Sequence, residues 1–388
     1  MRRLQCILII TLLMADCAFG ATITVRKDGT GDFMVIQQAL DIAAAGDTVL
    51  IGPGEYLEHS AVRFPGWSWD IESYANVTVD NVTIIGAGSN ETFIGPLTYS
   101  GNYSTETPKV VTYLGGGGIS LADVCLRNSH SGVYMRGRLY MDRCELSNNY
   151  INVGWGAIGS GGWIRDSQFD VTTPNYPISI DITTGSGAAD ILIENCTVQH
   201  SLVLIDGVDG VVIRDCVIRD YVGALQMYGA ATVDLERCQL TNISSVGIHM
   251  TGAGAATCRI EDSVVSGNQR ALYQEQAGGQ FHVTASRLEG GSVAIVTTHG
   301  ASGACSIHNC DLIVGSGVAV RCYMGTSAIQ HDFSNNYWGT TDEQTIQSWI
   351  TDHNDDPNIG ATVLYRPFAG QSVPTESTSW GDLKALFR

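Results

Sequence analysis

The chain has 388 residues, 44% of them apolar and 15% charged, with 21 Lys plus Arg against 39 Asp plus Glu and a formal net charge of −18. So much apolar side chain offsets the entropy of ordering, which excludes a disordered chain. The acidic balance repels a phosphate backbone, which excludes a nucleic-acid partner.

Arg2 and Arg3 precede an apolar run from Ile7 to Met14, and Ala18-Phe19-Gly20 follows as a small-x-small cleavage site. This pattern predicts a secretory signal peptide over residues 1–20, removed before Ala21. The run is too short to span a bilayer, and no later stretch is long enough to anchor the chain. A secreted or cell-surface protein, with no membrane insertion, is therefore expected.

Ile36, Ala39, Leu40 and Ala43 then recur at helical spacing, and a first strand is predicted from Thr48 to Ile51. From residue 121 onward a repeat governs the sequence. The unit is apolar-x-x-(Cys/Ser/Asn/Val)-x-apolar, with central residues Val124, Cys144, Ser167, Cys196, Cys216, Cys238, Ser263, Ser286, Cys310 and Asn336 at intervals of 20 to 29 residues. Another residue of the same alternating face often precedes the unit by two positions, as at Leu139, Ile191, Val211, Val233, Cys258, Phe281 and Cys305. This is the alternation of a strand with one buried face. About nine residues after each centre comes a second alternating segment, such as Gly132-Val133-Tyr134-Met135 or Gly247-Ile248-His249-Met250. Gly, Asn, Asp and Ser cluster between the segments, where turns need positive φ or local hydrogen bonds.

Each period is thus one coil of short strands that cannot bury its inner face alone and must stack on its neighbours. A leucine-rich repeat shares the spacing around its Asn or Cys but requires an earlier Leu, where this chain has Ala188, Val208, Ala230, Ala255, Gly278 and Ser302. The predicted fold is all-β: a right-handed single-stranded parallel β-helix, a solenoid, with short N- and C-terminal capping helices. The C-terminal cap is expected from a Thr341/Gln344 capping box and the stripe Ile346, Trp349 and Ile350. The β-helix domain is expected over residues 21–370. The tail, residues 371–388, ends in a short amphipathic turn at Trp380, Leu383, Leu386 and Phe387.

The opening Asp28-Gly29-Thr30-Gly31-Asp32-Phe33, with Ile36-Gln37-Gln38-Ala39-Leu40, Gly46-Asp47-Thr48-Val49 and Pro53-Gly54-Glu55-Tyr56-Leu57-Glu58, resembles the start of the pectate-lyase and pectin-methylesterase-like superfamily. Asn335-Asn336-Tyr337-Trp338-Gly339, Asp355-Asp356-Pro357 and Tyr365-Arg366-Pro367-Phe368 resemble the closing segment of secreted bacterial β-helix repeat proteins. The resemblance implies the fold and a polysaccharide or cell-surface glycan as partner. It brings no catalytic signature: the Gly-x-x-Asp-Phe strand of pectin methylesterases is missing, and Thr298-His299-Gly300 lacks the first Gly of the polygalacturonase motif. Superfold membership does not assign a chemistry.

Stacked coils align equivalent outward residues in rows along the solenoid. Aligning the second segments places Tyr134 and Arg136, Ser179 and Asp181, Leu204 and Asp206, Gln226 and Tyr228, His249 and Thr251, Tyr273 and Glu275, and Arg321 and Tyr323 outward, with Gly154 and Val296 intervening. Tyr rings stack on apolar sugar faces, and carboxylates and Arg bond hydroxyls. Tyr134, Arg136, Tyr228, Tyr273, Glu275, Arg321 and Tyr323 are accordingly candidate substrate-binding residues. Asp181 and Asp206, on adjacent coils, are a candidate acid and base for glycoside hydrolysis. His249 is a candidate base for β-elimination from a uronate, with Arg136 or Arg321 neutralising charge. The same residue types also suit an ordinary solvated face, so a polysaccharide lyase or hydrolase and a non-catalytic surface or adhesion protein are both open.

The row Glu194, Arg214 and Glu236 reads as cross-coil ion pairs. His353-Asn354-Asp355-Asp356 offers oxygen ligands for Ca²⁺ but equally fits a turn; no other metal or cofactor is expected. Nine cysteines follow the signal peptide, and those on the inward rungs are expected to be buried thiols, because parallel stacked side chains seldom meet disulfide geometry. Six Asn-x-Ser/Thr sequons, at Asn76, Asn81, Asn90, Asn102, Asn195 and Asn242, matter only in a glycosylating pathway. A monomer is expected.

Overall fold

The computed structural model describes residues 20–63, 70–99, 109–156, 161–172, 177–183, 188–252, 254–275, 278–299, 303–315, 317–323, 325 and 328–372. The predicted signal peptide up to residue 19, and the tail from residue 373, lie outside them.

Among the described residues the strands form three sheets of 14, 11 and 13 strands, parallel except where Ser60–Val62 pairs antiparallel with Ile71–Val77, and the central coils contribute to all three in turn. This is the right-handed parallel β-helix that the repeat predicts. The first sheet holds the strands leading into each rung, for example Asp209–Arg214 and Thr232–Glu236, paired as Val211 with Val233 and Ile213 with Leu235. The second sheet holds the short strands after the rung. Its inward residues Leu146, Phe169, Val198, Ile218 and Leu240 lie directly above one another. The third sheet carries the second alternating segment.

A polar spine runs inside this cylinder. The backbone N–H of Cys144 donates to Ser167 Oγ (3.1 Å), Cys196 to Cys216 Sγ (3.4 Å), Cys238 to Ser263 Oγ (2.9 Å), Ser263 to Ser286 Oγ (3.1 Å) and Cys310 to Asn336 Oδ1 (2.9 Å). Each Cys or Ser in turn donates its own S–H or O–H to the carbonyl two residues earlier, as Cys216 does to Arg214 and Ser263 to Glu261. A small side chain that both accepts and donates satisfies two buried backbone groups per coil. That is why the centre of the unit is Cys, Ser or Asn.

The residue before each rung turns the corner in the left-handed region: Asp123, Arg143, Asp166, Asn195, Asp215, Arg237, Asp262, Ala285, Asn309 and Asn335 all have φ between 48° and 63°. Most are Asp or Asn, the non-glycine residues that tolerate this conformation best. Their side chains also link coils, with Arg143 on Asp123 (2.7 Å) and Arg237 on Asp215 (2.8 Å). The expected charge row is present in part: Glu194 receives both Arg165 (3.1 Å) and Arg214 (2.6 Å), whereas Glu236 meets Arg237 of its own coil at 3.9 Å.

All nine cysteines of the described residues are free and buried, and burial raises the thiol pKa of Cys144, Cys258 and Cys305. Both ends are covered. The helix Ile36–Ile42 buries Ile36, Ala39 and Leu40 against the first coils. A strand that the sequence reading omits, Thr22–Val25, precedes it and pairs with Thr48–Ile51, so Thr48–Ile51 is the second strand of its sheet. At the other end the helix Glu343–Ser348 starts from Asp342, not Thr341; Thr345 Oγ1 donates to the Asp342 carboxylate, displacing the expected capping box. Ile350–Thr351 and Thr362–Leu364 then extend the third and first sheets.

Candidate functional site

The third sheet offers the solenoid's outer face with the densest chemistry. Several of its central strands share one burial pattern, with the first, fourth and sixth residues pointing out and the intervening ones in, as in Ile151–Gly156, Gly223–Tyr228 and Val246–Thr251. The fourth residues form one row through Tyr134, Gly154, Asp181, Leu204, Gln226, His249, Tyr273, Thr297 and Arg321. The sixth residues form a second through Arg136, Gly156, Thr183, Asp206, Tyr228 and Thr251. Glu275, His299 and Tyr323 continue that line on the next coils, their backbone N–H groups donating to Met250, Gln274 and Thr298.

This arrangement corrects the expected register at one coil. Asp181 pairs with Leu204, and Asp206 pairs with Thr183, so the two aspartates sit in different rows. Ser179 points inward and is fully buried, hydrogen-bonded to Asn152 and Ser201. A slip of two residues keeps Asp181 on the outer face, so alternation alone does not distinguish the two registers, while the irregularity between Ile178 and Ile180 turns Ser179 inward. The aspartates are diagonal neighbours, with Cα atoms about 8 Å apart from the strand spacing and rise. Val296, expected among the outward positions, is buried and lies off both rows; the register gives that coil's places to Thr297, itself buried beneath Arg270, and His299.

Asp181 is half-buried. Its Oδ1 is out of solvent and has no hydrogen-bond partner among the described residues. Burial first, and the charge of Asp206 second, push its pKa up to about 6. It is readier than an ordinary aspartate to hold a proton near neutral pH.

Further along, rings succeed one another from coil to coil. His249 stacks on Tyr273 with centroids 4.7 Å apart and planes 10° from parallel; His299 lies 6.0 Å from Tyr273, and Tyr323 4.9 Å from His299. The Arg270 guanidinium covers the Tyr273 ring at 4.5 Å and donates to Thr297 Oγ1. His249 Nε2 meets Glu275 Oε2 at 2.9 Å, and Thr251 donates to the same oxygen. Burial lowers the His249 pKa, with Glu275 opposing the shift, so the ring is largely neutral at pH 7. Gln226 Nε2 donates to Tyr228 Oη at 2.7 Å, bridging the two rows.

The structure thus brings Asp181, Asp206, Tyr228, His249, Tyr273, Glu275, Arg321 and Tyr323 onto one strip, with Tyr134 and Arg136 further toward the N-terminus. The sequence reading missed His299 and Arg270. The 24-residue intervals from Glu275 to His299 to Tyr323 carried the signal for His299. It also missed Lys109, whose ammonium lies over the Tyr134 ring at 5.5 Å and whose pKa burial lowers to about 8.

The stretch considered for Ca²⁺ is a self-capped turn. Asp352 accepts from the backbone of Asn354 and Val363, Asp355 from Asp352, and Asp356 from Asn358. Among the described residues no three His, Cys, Asp or Glu side chains converge to hold a metal ion, and no helix is long and apolar enough to cross a membrane.

Comparison with known proteins fits this architecture. The family model for a right-handed β-helix region matches residues 179–337. No curated protein sequence matches the chain. Among solved structures it is similar to the A-module of the mannuronan C-5 epimerase AlgE6 from Azotobacter vinelandii, at 13% identity and TM-score 0.46, covering 86% of this chain and 93% of that one. It is also similar to the pectin methylesterase PemA from Erwinia chrysanthemi, at 11% identity and TM-score 0.35 over 63% of this chain and 78% of that one. A pectin methylesterase from carrot matches at 13% identity and TM-score 0.30, covering 89% and 88%. Identities this low transfer no residue's role.

Proposed function

We propose that the protein binds a linear extracellular polysaccharide along the outer face of its third sheet, over the strip from Asp181 to Tyr323. The succession of rings His249, Tyr273, His299 and Tyr323 carries this reading. Such rings offer apolar faces to successive sugars, and Tyr228, Gln226, Glu275 and Arg321 beside them supply hydrogen bonds to hydroxyls. The export expected from residues 1–20 would bring the strip to such a polymer outside the cell.

A second reading, cleavage of the bound chain, is favoured by one observation, the raised pKa of Asp181 beside Asp206. Asp181 would protonate the leaving oxygen and Asp206 would act as the second carboxylate, as base or nucleophile. For β-elimination His249, neutral and oriented by Glu275, would take the proton. A purely adhesive solenoid would bind through the same rings without turnover.

The test is a binding screen against neutral and uronate-rich polysaccharides with wild type and Tyr273→Ala, followed by assays for new reducing ends and unsaturated product. Binding that falls about tenfold or more in Tyr273→Ala supports the strip. Binding unaffected by Tyr273→Ala, or no binding to any glycan, refutes it. Turnover abolished by Asp181→Asn assigns hydrolysis, and binding without turnover leaves the adhesive form.

A further inference from the structure

Beside the strip lies a hollow of about 230 Å³ that borders the ring succession only at His249. Its origin is one residue. The outward side chains that open five successive third-sheet strands are Ile151, Ile178, Leu202, Gly223 and Val246. At Gly223 the aliphatic row is interrupted, leaving a gap one coil wide between Leu202 and Val246.

Nothing in the backbone demands this glycine. Its φ lies outside the left-handed region, and a Cβ built there would meet no atom nearer than the Val246 carbonyl oxygen at 3.5 Å. What the missing side chain does is keep the hollow open. Leu202, Val246 and the Tyr221 ring wall it, and Val222, 51% exposed, stands at the rim. Gln226 and His249 of the strip border it on one side, and Ser245 brings a hydroxyl with no side-chain partner among the described residues.

A bare sugar ring carries hydroxyls around its edge, and aliphatic walls would leave most of them unpaired at a cost in affinity. An ester substituent has the opposite character: an apolar tail and one carbonyl acceptor. The Ser245 hydroxyl, or the Gln226 amide hydrogen not given to Tyr228, would serve that acceptor. We infer that the hollow receives the acyl group of an O-acylated polysaccharide lying along the strip. The inference rests on the glycan reading above and names the class of glycan.

The experiment measures binding of O-acetylated xylan, glucomannan and alginate, each beside its alkali-deacylated counterpart, to the wild-type protein, Gly223→Leu and Val222→Asp. Burying a methyl and forming one hydrogen bond predicts about tenfold tighter binding of at least one acylated form. Gly223→Leu, which fills the hollow, should remove that preference and leave binding of the deacylated form unchanged. Val222→Asp, on the exposed rim, should act the same way should the leucine variant not fold. Equal affinity of wild type for both forms of every polymer, or a preference that survives in the folded variants, overturns the acyl assignment while the strip stands. Binding of no polymer in either form overturns both.

Discussion

The backbone N–H of Cys196 donates to the sulfur of Cys216 one coil further along, at 3.4 Å, and Cys216 donates its S–H to the carbonyl of Arg214 at 3.2 Å. A thiol here is a link in a chain of hydrogen bonds rather than apolar filler alone. Cys216→Ala leaves a buried amide without its acceptor and is expected to cost about 1–3 kcal/mol. Cys216→Ser, which Ser167 and Ser263 imitate elsewhere on the spine, should cost less than about 1 kcal/mol. Urea unfolding of the two variants checks the order; equal losses would reduce the spine to packing.

At the C-terminal end of the same spine Asn336 accepts from Cys310 at 2.9 Å and donates to the carbonyls of Ile307 (2.7 Å) and Phe333 (2.9 Å). Three buried bonds on one side chain predict a larger loss for Asn336→Ala, about 3 kcal/mol or more. The same unfolding experiment reads it, and the value should exceed that of Cys216→Ala.

Asp181 gives a prediction in pH. Its pKa rises on folding from 3.8 to about 6, so between those values the folded state holds more proton than the unfolded chain. Stability therefore falls as pH rises through this window, and the cost is complete above about 6. Asp181→Asn carries no such cost. It should be more stable than wild type at pH 7 by about 1–2 kcal/mol, less than the full shift implies because the side chain is partly solvated. The difference should shrink as pH falls and vanish below about pH 3. A constant difference across that range in paired denaturation curves would contradict the assignment.

Opposing influences hold the His249 pKa: burial lowers it and the Glu275 carboxylate raises it, with burial the larger. Glu275→Gln removes the raising partner and keeps the shape. The His249 ring should then titrate at lower pH than in wild type, read from its imidazole NMR signals. An upward move would mean that the pair does not form in solution.

The fold was legible because coil length, inward alternation and the Cys/Ser/Asn centre all repeat, and a solenoid needs little else. Most of the strip followed from the same alignment; Tyr273, Glu275, Arg321 and Tyr323 fall where equal spacing puts them. Asp181 did not, because the 29-residue step from Ser167 to Cys196 admits two registers of equal parity. The Gly223 hollow was hidden for another reason. Beside Gly132 and Gly247, which open segments of the same kind, Gly223 reads as one more turn residue, and only the paired strands reveal an outward place left vacant.

The central claim, that a polysaccharide lies along the third sheet, is tested most directly by the histidines. The chain has nine, and only His249 and His299 belong to the strip. In a titration with a bound polysaccharide followed by imidazole NMR, the signals of these two should shift together while those of His59 and His353, near the ends, stay fixed. Saturable binding that leaves His249 and His299 unmoved would contradict the account.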